Sequence, residues 1–497
     1  MGDLYDETAA SLVMAAPSGR RLSRREREIL AEGAVGHLIL FRRNLRDREE
    51  VRDLLAEARS LLPNPPLVAV DQEGGVVSAA AEVAGRPPSA MHLGAAGDAR
   101  LVRGWAMRQA SLLRALGINV NLAPVLDVQA RGGSAVIGTR SFGGNPGLVA
   151  ALGSAAVRGY LWGGVIPVGK HFPGHGSVRA DSHLVLPVDR RGARAIRASS
   201  LDPFRAAVRA GLPAVMIAHV AYPALGTGRR PATLSAAVIK GLLRESLGFR
   251  GVVMSDAVEM VGFPGESFLP EALAAGIDLF CVSRSLAAGK RAARLLAGSL
   301  RSGRVDGKTA REATRRVGAL ARRELPRPPG VPVPSGDPAR GIARIGRGPF
   351  RPLPPAGWRA FLPDRLSGRI PIRLDLSGVA ERFGDRFLRE VVRLYSPDPG
   401  EAECRAMAGL AGGEAVVLGL LGRGELPEGQ KMLLRVLSGR EGRLVVAALA
   451  DPEPVLRIGG GTERLLTFDF GRETLAALFE VLIGEKEPGG VRPFASR

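Results

Sequence analysis

VIPVGKHFPGHGSVRADSHLVLP, residues 165–187, is the stretch on which the reading of this chain turns. An apolar run, VIPV, leads directly into a polar cluster broken by Pro173, Gly174 and Gly176. Three of the chain's six histidines fall here, His171, His175 and His183, with Lys170 before the first and Asp181 two residues before the last. A strand that ends in a loop crowded with titratable groups is how an α/β enzyme presents its chemistry. Zinc is the first alternative. Pro173 and Gly174 lie between His171 and His175, however, and deny them the helical i, i+4 geometry of a strong zinc motif. No metal and no cofactor are expected.

The rest of the first 325 residues repeats the pattern. Strand-like runs at 35–41, 67–70, 118–128, 165–168, 214–219, 252–256 and 278–282 alternate with helical periodicity at 49–62, 101–116, 146–162, 193–210, 235–247 and 270–275. Such alternation predicts a parallel sheet. Seven strands are visible and an eighth is not. Asn44, Asp71, Asp127, Lys170 with His171, His219 and Asp256 each stand at or just beyond the C-terminal end of a different run. An open sheet gathers its site at one switch point, whereas a closed barrel gathers it from nearly every strand. The expected fold is therefore α/β: a (β/α)8, TIM-like barrel over residues 1–325. PRPPGVPVPSGDP cannot continue a helix, so residues 326–357 read as a proline-rich linker. Alternation then resumes over 358–497, with a helical pattern near 380–394, and predicts a smaller α/β sandwich domain. The three glycines at 459–461 read as a turn.

Composition narrows the class. The chain has 497 residues, 45% of them hydrophobic, enough for two packed cores. No apolar run is long enough to span a bilayer. The N-terminal residues lack the basic-then-apolar order of a secretory signal, so a cytoplasmic location is expected. Cys281 and Cys404 are too far apart in sequence to suggest a disulfide framework. The net charge of +20 can attract anionic polymers, but aromatics are only 5%, too few for base-stacking platforms, so no nucleic-acid partner is expected. The densest basic region, 284–327, reads as two helices with solvated faces.

Two groups can carry chemistry. A carboxylate two residues from an imidazole, Asp181 and His183, can fix the ring's tautomer and make it a general acid or base near neutral pH; the pair also fits an Asx-type turn. Asp256, in GVVMSDAVEM, follows an apolar run and can attack an electrophilic carbon; with Ser255 it also fits a helix N-cap. A nucleophilic carboxylate beside a separate acid/base group is what glycosidic cleavage with retention requires.

These residues lie in motifs that resemble glycoside hydrolase family 3, specifically its bacterial β-N-acetylhexosaminidase branch. The motifs run in order through the barrel: GHLILFRRN (36–44), AVDQEGG (69–75), APVLDV (123–128), IGTRSFGGNP (137–146), KHFPGHG with DSH (170–183), AHVAYP (218–223) and GFRGVVMSDAVEM (248–260). The DSH element is similar to that branch's mark. A looser likeness, VLIGEKEPGGVRPF (481–494), extends to the second domain.

The resemblance implies Asp256 as nucleophile, His183 as general acid/base and Asp181 as its orienting partner. It implies Asp71, Arg140, Lys170 and His171 as ligands of the terminal sugar. The implied activity is a retaining exo-β-N-acetylglucosaminidase acting on muropeptide or related glycans, with a carbohydrate as its partner. Two departures stand out. The family's R-V-x-R after DQEGG is replaced by Val76, Val77, Ser78 and Ala79, and a common second aspartate after the nucleophile is Ala257. The alternatives are a β-glycosidase or glycoside phosphorylase of different sugar preference and, outside enzymes, a sugar- or cell-wall-binding protein.

Overall fold

A computed structural model describes residues 4–490 except 131–132, 135, 183, 327–329, 331–336, 346–349, 354–357, 367–371, 412–414, 423–424, 440–441, 457 and 459–461. His183, the 459–461 turn and the last residues of the 481–494 motif lie outside the described residues.

Eight parallel strands close a barrel in chain order: β1 (Val13–Ala15), β2 (His37–Leu40), β3 (Val68–Val70), β4 (Val120–Asn121), β5 (Ile166–Phe172), β6 (Ala214–Ile217), β7 (Val252–Ala257) and β8 (Leu279–Val282). Strands covered by helices on one side and packed into the barrel on the other are buried on both faces, hence the continuous apolar runs. The eighth strand is β1. It is three residues long, pairs Val13 with Phe280 and Met14 with Cys281, and also joins β2. The 118–128 run contributes two residues to the regular ladder, Val120 and Asn121, and a separate parallel bridge from Val125 to Lys170.

Helices fill the crossovers and start where local chemistry directs. Pro146–Trp162 begins with proline in its first turn, where no N–H partner is lost, and Asn145 Oδ1 accepts the N–H of Leu148 at 3.1 Å. Arg24–Ala31 carries a capping box between Ser23 and Glu26.

The second domain is a six-stranded sheet. In chain order its strands are β9 (Ala343–Ile345), β10 (Trp358–Pro363), β11 (Val392–Tyr395), β12 (Ala415–Leu420), β13 (Arg443–Ala448) and β14 (Glu463–Leu466). The spatial order is β9-β14-β13-β12-β10-β11, parallel except for the edge pair β9/β14. Alternate residues of β12 feed two cores: Val417 packs with Trp358 and Phe479 on one face, and Val416 and Leu418 pack with Leu433 and Phe468 on the other. The second core also takes in Met91 and Ala95 of the barrel domain. Within the stretch read as a linker, Ala343–Ile345 is an edge strand, because its N–H and C=O groups pair with β14.

Candidate active site

A cavity of about 450 Å³ opens at the C-terminal ends of the barrel strands. Its lining includes Asp71, Glu73, Arg140, Lys170, His171, His175, Ser182, Asp256, Glu259 and Cys281. Two irregularities in the ladder aim side chains into it. Gly169 pairs with Val215 and Phe172 with Ile217, so β5 holds one residue more than β6 over this interval, and Lys170 and His171 are the residues displaced. Likewise Leu279 pairs with Met254 and Cys281 with Ala257, so β7 bulges at Ser255 and Asp256. Bulges re-aim side chains at barrel rims and beside active sites. The Cys281 N–H donates to Ser255 Oγ at 3.1 Å and pins the second one.

Asp127 fixes the β5 end. Its Oδ2 accepts His171 Nδ1–H at 2.6 Å and the His171 backbone N–H at 3.3 Å, and its Oδ1 accepts the His175 backbone N–H at 2.6 Å. The His171 tautomer follows: Nδ1 carries hydrogen, and Nε2 faces Arg140 Nη2 at 3.4 Å. Burial pushes the Asp127 carboxyl up, but the imidazoles of His171 and His175 and the bonds it accepts prevail and hold it below the usual carboxylate range.

Glu73 is the hub of the charged net next to the β5 end. Its two oxygens receive Arg140 Nε and Nη2 at 2.7 and 2.8 Å, and Lys170 Nζ lies 2.5 Å from Oε1. Lys170 Nζ also donates to Asp71 Oδ1 at 2.6 Å. Burial raises the Glu73 pKa, yet the two cations outweigh it and hold the group at about 2. Burial pulls Lys170 down, but Asp71 and Glu73 leave it raised overall, so the ammonium stays charged. Two cations and two carboxylates form a balanced net that presents donors and acceptors to one face of the cavity.

Asp256 differs. Among the described residues, its hydrogen-bond donor is the Ala257 backbone N–H at 2.8 Å. Burial raises its pKa, but His171, His219, that N–H and Lys170 outweigh the rise and hold it below the usual range, so it is ionised at neutral pH. His219 Nε2 reaches the Ala257 carbonyl at 3.2 Å and Nδ1 meets Thr233 Oγ1 at 2.7 Å, steadying the backbone that carries Asp256. No helix begins here: Asp256 lies within β7, which removes the N-cap reading.

Asp71, Arg140, Lys170, His171 and Asp256 are thus brought together. Asp181 lies outside the cavity lining; its carbonyl accepts the N–H groups of Leu184 and Val185, both at 3.0 Å, in a turn. The next residue, Ser182, does line the cavity and is tied twice: its Oγ is 3.2 Å from His175 Nε2, and its carbonyl accepts Gly262 N–H at 2.9 Å. Among the described residues, no group of three or more His, Cys, Asp or Glu could hold a metal ion.

Glu73 received no role from sequence; Asp127 entered only as a strand-end group and His175 only in the zinc alternative. Glu73 stands inside the quoted DQEGG, and the alternation of that strand-like segment puts it on the same side as Asp71. The positions of the missing arginines do not line the cavity. Val76 packs against the core of the second domain, and Ala79 sits against the barrel core with its N–H on the Asp71 carbonyl at 2.9 Å. Arg140 is the one arginine in the described lining.

Residues 4–320 match the family described as "Glycosyl hydrolase family 3 N terminal domain". The chain belongs to glycosyl hydrolase family 3, and its relatives place it with that family's β-N-acetylhexosaminidases. It is 41% identical over 283 residues to a β-hexosaminidase of Neisseria gonorrhoeae, covering 54% of this chain and 77% of that protein. A family 3 β-N-acetylglucosaminidase from Paenibacillus sp. superposes with a TM-score of 0.89 at 30% identity, over 100% of this chain and 99% of that one. NagZ from N. gonorrhoeae, solved in complex with N-trifluoroacetyl-D-glucosamine, superposes with a TM-score of 0.53 at 35% identity, over 62% of this chain and 98% of that one. Among the described residues, no helix is long and apolar enough to cross a membrane.

Proposed function

We propose that the protein is a retaining exo-β-N-acetylglucosaminidase that releases terminal N-acetylglucosamine through a covalent glycosyl-enzyme on Asp256. One observation carries the reading: an ionised carboxylate with one backbone N–H bond among the described residues lines the same cavity as the fixed donors and acceptors of Asp71, Arg140, Lys170 and His171. These four residues bind the hydroxyls of the terminal sugar and orient its anomeric carbon toward Asp256. Asp256 attacks as the glycosidic oxygen takes a proton from His183; water then cleaves the ester with His183 as base. Asp181 orients His183. The relatives support the acetylated sugar, and the family resemblance supports a muropeptide or related glycan processed in the cytoplasm.

The experiment is turnover of an aryl β-N-acetylglucosaminide beside the matching β-glucoside, with and without added phosphate. Preference for the acetylated substrate, abolished in Asp256→Ala, is the expected result. Preference for the glucoside overturns the sugar assignment. Products appearing as sugar phosphates establish phosphorolysis instead of hydrolysis. No turnover of either substrate by folded protein favours a binding role.

A further inference from the structure

The loop that follows β3 carries both Asp71 and Glu73, and it is a compact unit. Asn121 brackets Gln72 through both backbone groups, accepting its N–H at 3.0 Å and donating to its carbonyl at 2.9 Å. The Gln72 side chain then spans the loop, from the Ala80 N–H at 2.9 Å to the Gly85 carbonyl at 2.7 Å. The loop folds back at Gly74 and Gly75, with φ of 114° and 53°, and Gly75 N–H donates to the Pro87 carbonyl at 2.9 Å. A Cβ at Gly74 would lie 2.3 Å from the Pro88 carbonyl oxygen. The far side of this turn meets a short segment of the second domain, Thr467, Phe468 and Asp469.

Two hydrogen bonds join that segment to Ser89 and His92, at the helix start packed against the turn. Ser89 Oγ donates to the Phe468 carbonyl at 2.6 Å, and His92 Nδ1 meets the Thr467 carbonyl at 2.8 Å. Asp469 Oδ1 is buried beside Gly75, 3.4 Å from where a Cβ on that glycine would stand, and has no hydrogen-bond partner among the described residues, so it acts on the turn by packing. Next to the turn, Val76 packs on the second domain's core. Phe468 is the described non-glycine residue with positive φ, 56°, and it is fully buried. Such strain persists only where the surroundings over-determine it. Its φ brings two successive carbonyls, of Thr467 and Phe468, onto the barrel domain. Arg86, on the same loop, stacks over Phe470 at 5.3 Å and feels the charge of Asp469.

We propose that this segment of the second domain is a positioning element: by holding the Gly74–Gly75 turn and Ser89, it sets where Glu73 and Asp71 hold Arg140 and Lys170. The second domain then shapes the sugar-binding wall without adding a group to it. This rests on the proposed glycosidase reading for its kinetic consequence, but not for its structural one.

The test uses the full chain with two substitutions from opposite sides of the seam, Ser89→Ala and Asp469→Ala. Each residue also caps a local helix start or turn, so the effect they share is the readout. Arg386→Ala serves as the control; it breaks the exposed Arg386–Glu390 ion pair (2.8 Å) on the second-domain helix Asp385–Val391. Amide hydrogen exchange over residues 71–80 is expected to rise about 5-fold in both variants and to stay unchanged in the control. KM for the aryl β-N-acetylglucosaminide is expected to rise by a similar factor with kcat nearly constant, as for lost uniform binding, and Asp469→Asn, which keeps shape, to recover part of it. Unchanged exchange at 71–80 in both variants overturns the proposal. Raised exchange with KM unaltered overturns it too, because the seam is then structural only. If wild-type protein turns over no acetylated substrate, the glycosidase reading fails, and the exchange measurement decides the inference alone.

Discussion

Glu73 and Asp256 are two carboxylates at the rim of one cavity, and they are kept in opposite ways. Glu73 is almost fully shielded, and both of its oxygens are occupied by Arg140 and Lys170. Asp256 is held ionised mainly at a distance, with one backbone N–H on one oxygen among the described residues. A carboxylate whose lone pairs are already bonded can position cations but cannot attack. One that is charged and sparsely bonded retains its nucleophilicity. Low pKa alone therefore does not distinguish the two carboxylates; the bonding of their oxygens among the described residues does, and it is what the proposed role of Asp256 rests on.

That contrast can be broken by mutation. The largest effect is expected for Asp256→Ala: kcat for the aryl β-N-acetylglucosaminide falls about 10⁴-fold or more, while the thermal midpoint stays near wild type. Glu73→Gln is expected to do the reverse. Removing this charge from the buried net takes the carboxylate from Arg140 while Lys170 keeps Asp71, so urea unfolding loses about 3 kcal/mol and KM rises more than kcat falls.

Acid sharpens the comparison. His37 and His175 are buried and neutral; desolvation lowers both to about 4, with the neighbouring His171 adding to the effect at His175. Each has an ordinary value near 6.5 when unfolded, so the unfolded chain takes up protons first as pH falls. Stability present above pH 6.5 is then lost progressively down to about pH 4, up to about 3 kcal/mol per histidine. Glu73 extends the loss below pH 4.5 toward 2, because its folded pKa is depressed. Urea midpoints between pH 7.5 and 4.5 check this, and His37→Gln should flatten part of the slope. The smallest effect is expected for Ser182→Ala. The Oγ tie to His175 is lost but the Gly262 N–H bond to the Ser182 carbonyl remains, so kcat drops only about 5-fold.

Much of this molecule was legible from its residues. Seven barrel strands declare themselves because buried parallel strands are continuous apolar runs. β1 escapes because three residues, VMA, are too few for a periodic signal and only the pairing of Val13 with Phe280 identifies them. In the second domain, β11 hides behind a helical pattern at 380–394. The chain there forms Ser377–Phe383 and Asp385–Val391, then turns extended at Val392, where pairing with β10 outweighs propensity. Asp71, Arg140, Lys170 and His171, which line the cavity, stood in the quoted motifs. The role of Glu73 was not legible, since it depends on cations 67 and 97 positions away along the chain, Arg140 and Lys170, converging on it. Nor could the sequence explain Val76, whose apolar side chain answers to the second domain's core.

The account centres on Asp256 as the attacking group, and covalent trapping tests that most directly. The protein is incubated with an activated fluoro-sugar analogue of N-acetylglucosamine, which slows breakdown of a glycosyl-enzyme, and is then digested and analysed by mass spectrometry. The account predicts one sugar per chain, attached to the peptide containing Asp256, and no label in Asp256→Ala. A label on another carboxylate, or an unlabelled enzyme whose first product has the inverted anomeric configuration, contradicts it.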